Sequence, residues 1–299
     1  MSALLLLAAC LALGALVARH AHPPLGLAQG LNWWVINIAL PALILHLIPQ
    51  LHFEWQFWFL VVSQWLVFAG AFVLFRFAGG RLGWSRRRIG GLTLVCGLSN
   101  TSFMGYPLLE ALRGREGLAL GVIADQIGCF VALSVGGTLV AALYSGAQPH
   151  PREVLRRILL FPAFLALLAG SIVGLLGGWP PAVEEVLARI GATLAPLALF
   201  SVGLRFRLQL GGDQALPLAL GLGWKLVVAP LSVLALGALA GVGGLTLTIG
   251  VMQAAMAPMI SAAILADQHG LDPPLANNVL GAGILLSLVS VPLWSALLG

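Results

Sequence analysis

Gly97-Leu98-Ser99-Asn100-Thr101-Ser102-Phe103-Met104-Gly105-Tyr106-Pro107-Leu108-Leu109 is the stretch on which the fold turns. It lies inside a hydrophobic segment long enough to cross a membrane, yet it holds four consecutive small polar residues, a glycine and a proline. Proline removes a backbone donor and crowds the preceding turn, so a helix is expected to break or kink at Pro107. The residue before a proline is pushed toward extended geometry. At membrane depth, broken backbone is tolerated only where protein or a water-filled cavity satisfies the freed groups. The stretch therefore reads as a broken helix around a polar site. The plainer alternative is a Pro-kinked helix whose hydroxyls bond back to their own turn.

Composition sets the solvent. Of 299 residues, 60% are hydrophobic and 8% charged; soluble domains carry about 25% charged residues. That much apolar surface cannot be hidden in a soluble core, so the chain reads as an all-α polytopic membrane protein. A net charge of +5 would suggest nucleic acid in a soluble protein. Here the basic residues cluster between hydrophobic spans, where they set orientation. Cys10, Cys96 and Cys129 all lie in apolar segments and form neither a disulfide framework nor a metal spacing. Leu7-Ala8-Ala9-Cys10 resembles a lipoprotein cleavage box. With no basic residues ahead of it and Cys10 so early, residues 2–17 are read as a short first transmembrane helix.

With about 20 residues per span as the ruler, ten apolar segments can be placed, near 2–18, 30–48, 56–77, 88–111, 117–143, 157–177, 183–203, 215–239, 244–267 and 275–298. Arginine placement orients them. Arg19, Arg76, Arg81, Arg86, Arg87, Arg88, Arg152, Arg156, Arg157, Arg205 and Arg207 fall in links on one side, against Arg113, Arg115 and Arg189 on the other. Eleven against three places both termini on the non-cytoplasmic side.

Five spans per half force the second half to enter with opposite topology. The seam is the Pro-, Gly- and Gln-containing link from Tyr144 to Pro151, giving repeats over 1–146 and 147–299. Leu40-Pro41-Ala42 in the second span answers Ala195-Pro196-Leu197 in the seventh, and Pro107 in the fourth answers Pro258 in the ninth. Interrupted spans at matching places in two inverted halves point to a transporter site.

Asn100 through Leu109 resembles the Asn-Thr-x-Phe-Met-Gly-x-Pro signature of the auxin efflux carrier family, which includes plant auxin exporters and bacterial permeases for organic anions such as malonate. The likeness runs the length of the chain, through the Ala-Leu-Pro-Ala of the second span, Pro196 to Leu204 and Ala255-Met256-Ala257-Pro258. The resemblance implies ten transmembrane helices in two inverted five-helix repeats, with helices 4 and 9 broken and crossing. It implies a scaffold, often dimeric, from helices 1, 2, 6 and 7. Helices 3–5 and 8–10 would form a mobile transport domain that carries small organic anions by an elevator-type movement. Sodium–proton antiporters and bile acid–sodium symporters share the architecture. A homodimer and a bacterial inner membrane are the expectations that follow, the latter because no long loop separates the halves.

Several residues can carry the chemistry. Asn100 can donate two hydrogen bonds to a carboxylate without a buried charge of its own, and half-helix N-termini at the break add backbone donors. Ser99, Thr101 and Ser102 either line the same cavity or cap the first half-helix. Gln253 is the long polar side chain ahead of Pro258. Gly105, Pro107 and Pro258 mark the crossover. Lys225 is the only lysine and lies in mid-span, where a charge is costly and normally faces a cavity or partner. It attracts the anion, pairs with Asp125, or snorkels to an interface. Asp125, beside Gln126, is a proton-coupling group, a partner for Lys225 or an acceptor for broken backbone; Asn278 is the further candidate for coupling. His46 reads as structural, and tryptophans such as Trp179 as interfacial anchors.

The sequence thus points to a secondary active or facilitative transporter of a small carboxylate, with possible proton or sodium coupling and no metal, cofactor or nucleic acid. The alternative is a cation antiporter or symporter of the same fold. A desolvated cation needs negative ligands, and Ala124 stands before Asp125 with no second buried carboxylate evident. An enzyme is disfavoured by the absence of HExxH, Gly-x-Ser-x-Gly and paired buried acids.

Overall fold

The computed structural model describes residues 2–21, 23–52, 54–146, 150–204 and 214–299. Arg205 and Arg207, counted above toward orientation, and residues 147–149 of the seam lie outside them. The described residues form helices and no β-strand: α1 (Ser2–His20), α2 (Leu27–Gln50), α3 (Trp55–Arg81), α4 (Arg86–Gly97), α5 (101–113), α6 (115–145), α7 (Pro151–Leu159), α8 (Pro162–Leu175), α9 (Pro181–Leu204), α10 (Ala215–Leu239), α11 (Gly244–Ala254), α12 (Ile260–Gln268) and α13 (Pro273–Leu297). Six helical runs are long and apolar enough to cross a membrane. The longest is Thr101–Ser145, turned at Gly114, whose φ of 67° and ψ of −165° no helix continues through. Three shorter apolar helices, Ala8–His20, Pro162–Leu175 and Gly244–Ala254, accompany them.

Prolines shape these helices in a consistent way. Three five-residue π-helical turns, Val35–Ala39, Thr101–Gly105 and Trp224–Val228, are each followed by an α-helical segment with proline second, at Pro41, Pro107 and Pro230. Proline leaves the carbonyl four residues earlier without its donor, and a widened turn lets that region bond one residue further on. Where a carbonyl is still left over, a tryptophan reaches it. Trp294 Nε1 donates to Leu226 O (3.0 Å), four residues before Pro230, and Trp179 Nε1 donates to Leu45 O (2.8 Å), four before Pro49. Neighbouring side chains that resatisfy freed carbonyls are what make proline tolerable in apolar surroundings. Trp179, read from sequence as an interfacial anchor, is thus a hydrogen-bond donor to a freed carbonyl.

The chain divides into two compact units. The first gathers the described residues of 1–54, 102–122 and 156–206. Its helices meet backbone to backbone. A Cβ on Gly14 of α1 would lie 2.2 Å from Phe200 O, and one on Gly203 of α9 would lie 2.3 Å from Leu11 O. Small residues that let helices approach this closely replace the hydrophobic drive that lipid does not supply. The second unit gathers the described residues of 55–101, 123–155 and 207–299. Phe59, Leu60, Val67, Phe68, Ala71 and Phe75 form the buried stripe of α3 along its length. Arg88 Nε meets Asp272 Oδ2 at 2.8 Å, joining the start of α4 to the start of α13.

Candidate functional site

In the second unit two helices stop short and meet. α4 begins at Ser85, whose hydroxyl accepts from Arg88 N (3.2 Å), and ends at Gly97. Leu98 turns extended (φ −115°, ψ 132°). α11 ends at Ala254, and the helix resumes at Ile260 after an extended Met259. The two interruptions lie antiparallel, with Ser99 opposite Pro258. Asn100 N donates to Ala257 O (2.8 Å) and Met259 N donates to Leu98 O (3.1 Å). Each break thereby satisfies the other's backbone, which buried polar groups require.

The first break is not where proline suggested. It falls at Leu98–Asn100, and Pro107 lies in the first turn of the α-helical segment beginning at Tyr106. The π-turn ahead of it absorbs the bond that its missing N–H would have made. Gly105 closes the π-turn just before it and is buried. Pro258, by contrast, sits within its break.

Side chains then gather on the crossing. Lys225, fully buried on a π-helical turn of α10, donates from Nζ to Ser99 Oγ (2.6 Å) and to Ala254 O (2.6 Å). Ala254 is the last residue of α11, so the ammonium sits at a helix C-terminus, where the dipole favours a cation. Of the three roles open to Lys225, outward snorkelling is excluded by its burial. Asp125, 2% exposed, accepts from the Thr101 hydroxyl at Oδ1 and from Gln126 Nε2 at Oδ2 (2.7 Å). Thr101 opens the helix that follows the first break, so the carboxylate stands near an N-terminus. The crossing thus carries a cation at one half-helix end and an anion near another. Gln253 Nε2 reaches Thr101 O at 3.5 Å.

Asn100 differs from these. Its side chain is 2% exposed, and Nδ2 has no hydrogen-bond partner among the described residues. A buried amide donor left without an acceptor costs about 1–3 kcal/mol, so its place invites an acceptor from outside the chain.

Ser99, Asn100, Thr101, Asp125, Gln126, Lys225, Gln253 and Pro258 are therefore brought together. Ser102 is half-buried on the turn that Thr101 begins. Asn278 is buried and donates to Gln214 Oε1 (2.6 Å) at the start of α10. Three nearby residues were not assigned to the site from sequence. Cys129 Sγ donates to Ser99 O (3.3 Å) from the π-helical turn that holds Asp125. Gln64 and Ser63 are buried at mid-α3, with Gln64 packed on Gly128, one turn from Asp125. Two adjacent polar residues within Leu60-Val61-Val62-Ser63-Gln64-Trp65 were a readable signal.

The first unit holds a separate polar cluster. His46 Nε2 meets an Arg115 guanidinium nitrogen, with Glu184 Oε1 3.9 Å from Nδ1. His46 and Arg115 border a cavity of about 210 Å³ that Tyr106, Pro107 and Glu110 also line.

Comparison with known proteins sets the chain among membrane transporters. A transporter of Methanothermobacter thermautotrophicus, described as uncharacterized, is 27% identical over 279 residues, covering 91% of this chain and 89% of that one. An uncharacterized transporter of Methanocaldococcus jannaschii is 24% identical over 220 residues, 71% of this chain and 69% of its own. The family model described as membrane transport protein matches residues 3–295, nearly the whole chain. The chain accordingly belongs to the membrane transport protein family, that of the auxin efflux carriers.

Proposed function

We propose that this transporter carries a small organic anion, a carboxylate, and that Asn100 at the crossing of the two broken helices binds it. The observation that carries the reading is the buried, unpartnered Nδ2 of Asn100 beside a buried lysine ammonium. An amide donor needs an acceptor, and Lys225 biases the acceptor toward negative charge. Both oxygens of Asp125 accept hydrogen bonds from Thr101 and Gln126, which favours an anion over a desolvated cation as cargo. Coupling through Asp125, Gln126 and Asn278, to protons or sodium, is part of the same proposal.

The architecture proposed is ten spans in two inverted repeats. Helical residues lie over each of the ten apolar segments. Thr101–Ser145 would extend about 68 Å as one helix, twice a hydrocarbon core of about 30 Å. The turn at Gly114 supports counting it as part of two passes. An elevator movement is proposed in which the second unit, with the crossing, carries the anion, and the first serves as scaffold. The assignment of 102–122 to the first unit leaves the half-spans after the first break with the scaffold. Both termini are proposed on the non-cytoplasmic side. The Arg88–Asp272 bridge supports this, since it brings the link before α13 to the same end as the arginine-rich link before α4.

Proteoliposomes loaded with radiolabelled malonate or malate test the reading. Asn100→Ala is expected to abolish flux while the purified variant keeps its elution profile and melting temperature. Unchanged carboxylate flux in that variant sinks the assignment. Sodium-dependent cation flux lost in Asp125→Asn would instead favour the cation reading.

A further inference from the structure

A second polar place in the second unit lies at the start of α4, the end away from the break at Leu98. The last turns of α3, the first turn of α4 and the end of α6 enclose a surface groove of about 790 Å³. Arg76, Arg81 and Arg86 line it, and among the described residues no carboxylate does. Arg76 and Arg81 are five residues apart on one helix, about 7.5 Å of rise. Arg86 is anchored: its Nη2 donates to Leu143 O (2.8 Å) in the last turn of α6, and its guanidinium stands 6.0 Å from the Tyr144 ring. Arg81 lies over the Phe77 ring at 3.9 Å. The guanidinium groups are thus arranged by apolar and aromatic neighbours and have no acid to neutralise them in the groove.

Two further features point to a ligand. Tyr144 is buried in the wall, packed where Gly90 leaves room for its ring, and its hydroxyl has no hydrogen-bond partner among the described residues. Beside the arginines, the groove continues onto exposed Val73, Phe77 and Leu143. A site that sets arginines beside an exposed apolar wall, with the Tyr144 side chain buried in that wall, matches an amphipathic anion. A soluble anion would leave the apolar wall wet. At the end of membrane-length α3, the molecule of that chemistry is a lipid.

We infer that this groove is a binding site for an anionic phospholipid. The headgroup phosphate is held by Arg76, Arg81 and Arg86 with the Tyr144 hydroxyl, and the acyl chains lie along Val73, Phe77 and Leu143. Basic pockets between membrane helices bind such headgroups.

Native mass spectrometry of the detergent-purified protein, mixed with phosphatidylglycerol or phosphatidylcholine, tests this. Wild type is expected to retain phosphatidylglycerol at least about tenfold more than phosphatidylcholine. Arg76→Gln/Arg81→Gln/Arg86→Gln is expected to lose that preference. Tyr144→Phe, which keeps the ring and the charges, should weaken it by a few-fold, keeping the test open if the triple variant misfolds. Arg152→Gln/Arg156→Gln, exposed arginines outside the groove, should leave it unchanged. Equal retention of the two lipids, or equal loss in the α7 variant, overturns the site as general surface attraction. Inorganic phosphate displacing the lipid from wild type at low millimolar concentration would overturn the lipid in favour of a free anion.

Discussion

The two helix breaks meet as a pair but are built from different materials. The first, Leu98–Asn100, contributes side chains: Ser99 to Lys225, Asn100 with its unpartnered amide, and Thr101 just beyond it to Asp125. The second, from Ala255 to Met259, is apolar and contributes carbonyls, with Ala257 O accepting from Asn100 N and Ala254 O, just before the break, accepting from Lys225 Nζ. The backbone geometry explains why proline belongs to only one of them. The bonds from Asn100 N and Met259 N flank the Ser99–Pro258 position, so that pair faces without exchanging hydrogen bonds. A residue without an N–H fits a non-hydrogen-bonded position of an antiparallel pair. Paired breaks can therefore differ completely in side chains while their backbones remain complementary. Chemistry is concentrated on one, and shape on the other.

Lys225 is where the two materials join, so Lys225→Met has the largest expected effect in this comparison. Methionine keeps most of the length and apolar contact of lysine but removes both bonds, to the hydroxyl of one break and the carbonyl of the other. Bonds from a charged donor contribute about 1.5–3 kcal/mol each, so anion flux should fall by about a hundredfold or more. Relief of the buried ammonium's desolvation offsets much of the stability loss. The melting temperature should shift by only a few degrees. Wild-type flux in proteoliposomes would mean that the lysine serves only the end of α11.

The second break can be disturbed through its shape alone. A Cβ on Gly283 of α13 would come 2.3 Å from Pro258 Cδ and 2.7 Å from Cγ, both in a rigid ring. Gly283→Ala must push Pro258 away from Ser99 or move α13, and overpacking of this kind costs about 1–3 kcal/mol. Gly223→Ala, on α10 with open space around the added methyl, should be neutral or slightly stabilising, because alanine favours a helix over glycine. Thermal unfolding of the two variants side by side checks this. Equal melting temperatures would remove Gly283 from the account of the crossing.

The contrast also marks what the sequence could say. The polar island at Ser99–Ser102 and the lone mid-span Lys225 were legible because polar residues are conspicuous in an apolar run, and both lie at the crossing. The long apolar runs were legible because length and composition determine them. The position of the first break was not. Pro107 offered a local reason for a break, but the residues that leave the helix are the ones whose backbone finds a partner 157 positions away, as Asn100 N does in Ala257 O. The π-helical turn at Ala124–Cys129, which presents Asp125, Gln126 and Cys129, has no proline to announce it. Tertiary packing decides such turns. Cys129 gave no sign of a role because nothing in its neighbours along the chain places it against Ser99 O.

Pro107→Ala sharpens the comparison most economically, because sequence treats Pro107 and Pro258 as equivalents and the structure does not. Pro107 is buried in the first α-helical turn after Gly105, where its missing N–H costs little and its fixed φ suits the helix. Alanine keeps that geometry. It leaves a small void, and lets the π-turn at Thr101–Gly105 relax toward regular helix. The expected loss is under about 1 kcal/mol, and anion flux should stay within a few-fold of wild type. The same substitution at Pro258 adds an N–H at a position with no acceptor across the pair, so it should cost more than at Pro107. Unfolding midpoints and flux for both variants decide the matter. A larger loss at position 107 than at 258 would return the break to where the proline first suggested it.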